Sequence, residues 1–169
     1  MKLIEALKKI KELQKKAEDL RDLVKNHCAR SSLESDKYQG QAKKVEGWIQ
    51  SHSDILKEIL RLRLAIQKTN IDTKVAIELG GKTVTKTIAE WIHRRRDLAT
   101  EELKMWNCLT DRNIKEGYGN GPSGDPIEIK IVRFYDPSER DNKRELYQAE
   151  PLVIDSKLEV TNAITDLIE

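Results

Sequence analysis

Leu3, Ile10, Ala17 and Val24 recur every seven residues from the start of the chain, and Ala6, Leu13 and Leu20 stand three positions further on in each heptad. An apolar seam of this spacing, held for three heptads, belongs to a long helix that packs lengthwise on another helix. Lys and Glu occupy most positions between, with Glu5–Lys9 and Glu12–Lys16 four apart in the favourable order. No Gly or Pro interrupts the run, so the pattern predicts a helix over about residues 2–27.

The polar stretch Arg30–Asp36 reads as a turn. A second helix, about 41–68, carries Val45, His52, Ile59 and Ile66 in one column and Trp48, Ile55 and Leu62 in the next. Its stripe has the period of the first, so the two are expected to form an antiparallel hairpin. The composition fits narrow apolar stripes on charged helices: 38% of the 169 residues are hydrophobic, 36% are charged and 5% are aromatic. A core this lean favours self-association, because each stripe needs a cover.

Beyond Asn70 and Asp72 the pattern changes. Thr73–Ile77 is short and β-branched, Gly80-Gly81 supplies a turn, and Lys82–Thr85 returns, which predicts a small β-hairpin over about 73–85. A third helix spans about 86–113, with Ile88, Ile92, Ala99, Leu103 and Trp106 along one side. Residues 116–126 hold four glycines and two prolines and read as a loop. Ile127–Ile131 alternates with period two, so 127–134 reads as extended and is expected to pair with the segment near Thr73–Thr85. Asp136-Pro137-Ser138-Glu139 places an N-cap, an N1 proline and an N3 acid at the start of a last helix, about 137–167, which Pro151 should kink or restart. The chain thus reads as one helical domain, 1–169: mainly α, a long-helix antiparallel bundle with a small β insert.

The net charge is +2, from 31 basic and 29 acidic residues, which makes nucleic acid an unlikely partner. No apolar run approaches the ~20 residues of a membrane span, and the charged N-terminus does not read as a secretion signal. Cys28 and Cys108 belong to no paired motif and read as small buried hydrophobes in a reducing compartment, the cytoplasm. The histidines and cysteines lack metal-ligand spacing, and no cofactor is implied.

Several segments together resemble one family: Ile66–Asn70, Gly81–Thr85, Ile88-Ala89-Glu90 and Arg94–Leu98 in the middle of the chain, then Ile129-Lys130, Ile154-Asp155, Leu158–Asn162 and Thr165–Glu169 toward its end. With the opening helix, they resemble the septicolysin-like family of small bacterial proteins. The resemblance implies a helical fold with a small extended element between helices, and no established activity. The chain departs from that pattern in its longer, Gly-rich loop at 116–126 and at Ala163, where a tryptophan is expected.

The chemical candidates are mainly basic. Gly80-Gly81-Lys82-Thr83 resembles the end of a phosphate-binding loop, but Ala76 stands where the first glycine belongs. His93-Arg94-Arg95-Arg96 is the densest basic run. Its arginines point in different directions around a helix, so one or two of them at most could clamp a phosphate. The expected ligand-binding set is Asn70, Lys82, Thr83, Thr85, Lys86, Arg94, Arg95, Tyr118, Lys130 and Arg133. The leading reading is a non-enzymatic homo-oligomer that binds a small anionic, nucleotide-like ligand near subunit interfaces, for example to sequester a nucleotide signal if the gene is of phage origin. The alternatives are a structural or adaptor coiled-coil protein and a metal-dependent nucleotide hydrolase that uses Glu101 and Glu102.

Overall fold

In the computed structural model, described over residues 1–168, the first seam becomes helix α1, Leu3–His27, and the second becomes α2, Gln41–Asp72. The remaining elements are β1 (Lys74–Leu79), β2 (Lys82–Thr87), α3 (Ile88–His93), α4 (Ala99–Asn107), β3 (Gly117–Asn120), β4 (Pro126–Ile129) and α5 (Pro137–Ile164). A π-helical turn, Arg94–Leu98, joins α3 to α4. The chain is mainly α with small two-stranded β elements. Among the described residues no helix is long and apolar enough to cross a membrane.

The chain divides into two compact units: Met1–Val75, Thr87–Ala89 and the chain's end from Leu158 form one, and Ala76–Lys86 with Glu90–Lys157 form the other. In the first unit α1 and α2 run antiparallel, with Lys9 against Glu58 near one end and His27 against Trp48 at the other. Ala6, Ile10, Ile59 and Leu62 form the buried core between them, flanked by Leu13, Ile55 and Ile66 from the expected columns. Lys9 Nζ lies 3.0 Å from the Glu58 carboxylate, which Arg61 also grips from the same helix. Arg61 first, then Lys9, pulls the Glu58 pKa down to about 2.

The chain's end closes the same unit. Leu3 N–H donates to Thr165 O (2.9 Å) and Leu167 N–H to Met1 O (2.8 Å). Ile168 N–H donates to the fully buried Thr69 hydroxyl at 2.9 Å, and that hydroxyl donates to Ala65 O at 2.8 Å. Helix α2 runs on through Asn70 to Asp72, four residues past the expected end.

In the second unit the β1–β2 hairpin turns at Gly80 (φ 56°) and Gly81 (φ 77°), the paired left-handed conformation that two-residue hairpin turns require. The expected partner of the later strand is wrong. β4 pairs antiparallel with β3, from inside the Gly-rich stretch, with Tyr118 opposite Glu128 and Gly119 opposite Ile127. It ends at Ile129 instead of running to Phe134. At the glycines the isoleucines of β4 lie close over the backbone: a Cβ at Gly119 would stand 2.9 Å from Ile129 Cδ1, and one at Gly121 would stand 2.3 Å from Ile127 Cδ1. The third helix stops at Asn107, short of residue 113, and within the stretch expected to be helical Arg112 and Asn113 adopt left-handed φ of 54° and 60°. Both cysteines are exposed rather than buried, Cys28 and Cys108 each lying just past a helix C-terminus. The last helix begins where expected, with Ser138 N–H donating to Asp136 Oδ1 at 2.8 Å, and continues through Pro151.

Trp91, Ala99, Ile77 and Ile154 are buried in this unit, and with them Glu150, which is 3% exposed. A carboxylate so enclosed needs a fixed partner, and Arg94 supplies one with paired hydrogen bonds, Nη2 to Oε2 at 3.0 Å, while its guanidinium lies 5.3 Å from the centre of the Tyr147 ring. Removing one partner of such a pair leaves a buried charge uncompensated. Arg94→Ala is therefore expected to destabilise the protein by roughly 3 kcal/mol or more, measured by urea unfolding. Arg94→Ala/Glu150→Leu should recover most of that loss.

Candidate functional site

The expected basic residues do not form one cluster. Lys82 and Lys86 lie on one face of β2 and Thr83 and Thr85 on the other, as strand alternation requires. Arg94 is held by Glu150, with Glu102 at 3.6 Å; Arg95 bonds to Asp155; and Arg96 pairs with Asp97 at 3.0 Å. The arginine run therefore meets four different carboxylates. Tyr118 is 78% exposed on β3, and the Glu128 opposite it in β4 takes Lys130 at 3.1 Å. Asn70 belongs to the first unit, near the end of α2, with its side-chain oxygen buried and unbonded. Glu101 pairs with Lys104 at 2.7 Å. Among the described residues no group of three or more His, Cys, Asp or Glu side chains is placed to hold a metal ion.

Arg133, from the expected set, lines a cleft, and the residues around it were not legible beforehand. After α4 the chain makes a tight turn: Ile114 N–H donates to Asp111 O at 2.9 Å across the left-handed pair Arg112-Asn113. Twenty residues later it returns alongside. Arg133 grips Asp111 bidentately, Nε to Oδ1 at 2.7 Å and Nη2 to Oδ2 at 2.6 Å. The Tyr135 hydroxyl donates to Asp111 Oδ1 at 3.2 Å, and Arg140 Nη1 donates to that hydroxyl at 3.3 Å and to Leu109 O at 3.2 Å. The network holds the return strand against the turn. Between them lies a cleft of about 340 Å³, lined on its polar side by Thr110, Asp111, Arg112 and Arg133 and on its apolar side by Ile114, Ile131, Val132 and Phe134.

The cleft's electrostatics are set by these contacts. Arg133, with help from Tyr135, holds the Asp111 carboxyl below its usual range, and Asp111 in turn pushes the Arg133 guanidinium further up. Arg112 differs: it is exposed and engages no carboxylate among the described residues, so its planar, permanently charged fork is free to take an anion. Phe134 is 98% exposed and Val132 73%, which leaves a flat ring and a branched aliphatic at the mouth. A cation beside an uncovered ring suits a ligand that joins an anionic group to a planar apolar one.

Because the native pKa of Asp111 is depressed, its contribution to stability is present above the unfolded value near 3.8 and is lost as pH falls through the lower folded value. A carboxyl carbon NMR titration should place the Asp111 midpoint below 3.8, and Arg133→Ala should return it to the ordinary range. An unchanged midpoint in that variant would dissolve the network described above.

Comparison with models of known protein families gave no match, and comparison with curated proteins gave none either. Among solved structures the chain is similar to the crystal structure of a functionally unknown conserved protein from Corynebacterium diphtheriae, at 21% identity and a TM-score of 0.58 over 99% of both chains. At that identity the likeness is one of fold.

Proposed function

We propose that this is a non-enzymatic binding protein of the cytoplasm, and that it takes a small anionic, nucleotide-like ligand in the cleft between Arg112 and Phe134. One observation carries the reading: a cleft of about 340 Å³ is lined both by an arginine that pairs with no carboxylate among the described residues and by an uncovered aromatic ring. Around it, Arg133 and Tyr135 are locked by Asp111 and Arg140, so the walls are organised before a ligand arrives. Binding without turnover amounts to sequestration, the use expected of a signal-soaking protein such as a phage encodes. The septicolysin-like resemblance is part of this proposal and contributes a helical scaffold only.

A second reading, an assembly protein whose helices associate, is favoured by the uncovered apolar face of α2: Ile49, Leu56, Leu60, Leu64 and Ile71 are all about half exposed or more. The two readings are compatible, because the cleft and α2 lie in different units.

The test is calorimetry with adenosine and guanosine mono- and diphosphates. We expect binding, with Arg112→Ala weakening it by about tenfold or more, since a hydrogen bond to a charged group contributes about 1.5–3 kcal/mol. No product should form on prolonged incubation with magnesium. The absence of heat with every nucleotide, or equal affinity in the Arg112 variant, removes the proposal.

A further inference from the structure

Helix α2 carries two apolar faces. Ile55, Ile59, Leu62 and Ile66 lie toward α1, and Ile59 and Leu62 are buried there. Ile49, Leu56, Leu60, Leu64 and Ile71 fall within an arc of about 80° whose centre is roughly 130° from that row, at 100° per residue. All five are exposed, at 53%, 49%, 58%, 56% and 61%. A surface helix ordinarily needs only one such stripe.

The spacing of the second stripe is symmetric. Counting outward from Leu60, leucines stand four positions away on both sides (Leu56, Leu64), polar residues seven away (Ser53, Gln67) and isoleucines eleven away (Ile49, Ile71). Eleven residues make three helical turns, so the stripe runs straight along α2. We infer that α2 is a self-complementary pairing helix, on which a second copy of the chain lies antiparallel about a two-fold axis at Leu60.

In that register Leu60 meets Leu60 of the other copy, Leu56 meets Leu64, Ile49 meets Ile71, and Ser53 can hydrogen-bond Gln67. An isologous contact has this reciprocal form, with each patch complementary to itself. Parallel pairing would need no such symmetry of spacing and would align two long helix dipoles unfavourably. The cations near the axis are already neutralised within the chain, Lys57 by Asp54 at 3.0 Å and Arg61 by Glu58 at 2.9 Å. Clefts beside α1, lined by Ile49, His52 and Leu56 among others, continue the same face and leave room for the partner.

The experiment uses the full chain with both exposed cysteines replaced, Cys28→Ser and Cys108→Ser. Sedimentation velocity at micromolar concentration should show a dimer, and Leu60→Glu should convert it to a monomer with unchanged helical circular dichroism. A short thiol crosslinker should join Leu60→Cys to itself. It should leave Ile49→Cys alone, because the two copies of that site lie about 33 Å apart in the antiparallel register, yet it should join Ile49→Cys to Ile71→Cys when the two variants are mixed. A monomeric parent at about 100 μM, a dimer that survives Leu60→Glu, or self-crosslinking of Ile49→Cys as efficient as that of Leu60→Cys would each overturn the inference.

Discussion

The buried strip between α1 and α2 is the contact on which the rest of the first unit depends. Ala6 and Ile10 on one helix meet Ile59 and Leu62 on the other, and the small Ala6 lets the backbones approach. Neither helix carries the composition to stand alone, since both are mostly Lys, Glu and other polar residues around their apolar stripes. The hairpin is then locked from outside itself. Backbone bonds from Leu3 to Thr165 and from Leu167 to Met1 tie the two ends of the chain together, and the Thr69 hydroxyl receives Ile168. Thr69 is fully buried, so its hydroxyl must be satisfied. One donor and one acceptor role, both filled, make that polar group a fixed point instead of a defect.

The legible parts of the fold were those written in local chemistry. The heptads of α1 and α2, the Gly80-Gly81 turn and the Asp136-Pro137 helix start each depend on residues within a few positions of one another, and each stands where it was expected. The parts that were not legible depend on neighbours distant in sequence. Glycines at 117, 119 and 121 argue against a strand on propensity alone. At 119, within β3, and at 121, just past it, the Ile129 and Ile127 side chains of the partner strand lie over the glycine backbone; at 117 no neighbour does. The π turn at Arg94–Leu98 inserts extra backbone into a helical run, and no local signal announces it.

The same divide explains the candidate site. Density of charge in sequence singled out Arg94 and Arg95, yet both are engaged by carboxylates of α5, more than fifty positions away. Arg133 was found, but its partner Asp111 lies 22 residues back and the turn between them is invisible to periodicity. Basic residues crowded along a helix repel one another and call for acids nearby, so a run such as Arg94-Arg95-Arg96 is more readily a structural clasp than a pocket. A site forms where charge is left over after such pairing.

Arg112 is the residue left over, and its backbone strengthens the case. The chain elsewhere gives positive φ to glycine, at Gly40, Gly80, Gly81, Gly117 and Gly124. At 112 and 113 it holds an arginine and an asparagine in the same region instead. Asparagine tolerates that conformation, whereas for a side chain like arginine's it costs on the order of 1–2 kcal/mol. Glycine at 112 would relieve the strain and keep the turn. It would also remove the cleft cation that, among the described residues, no carboxylate engages. Strain retained at a pocket, where a cheaper residue would serve the fold equally well, is what the proposed binding role of Arg112 would require.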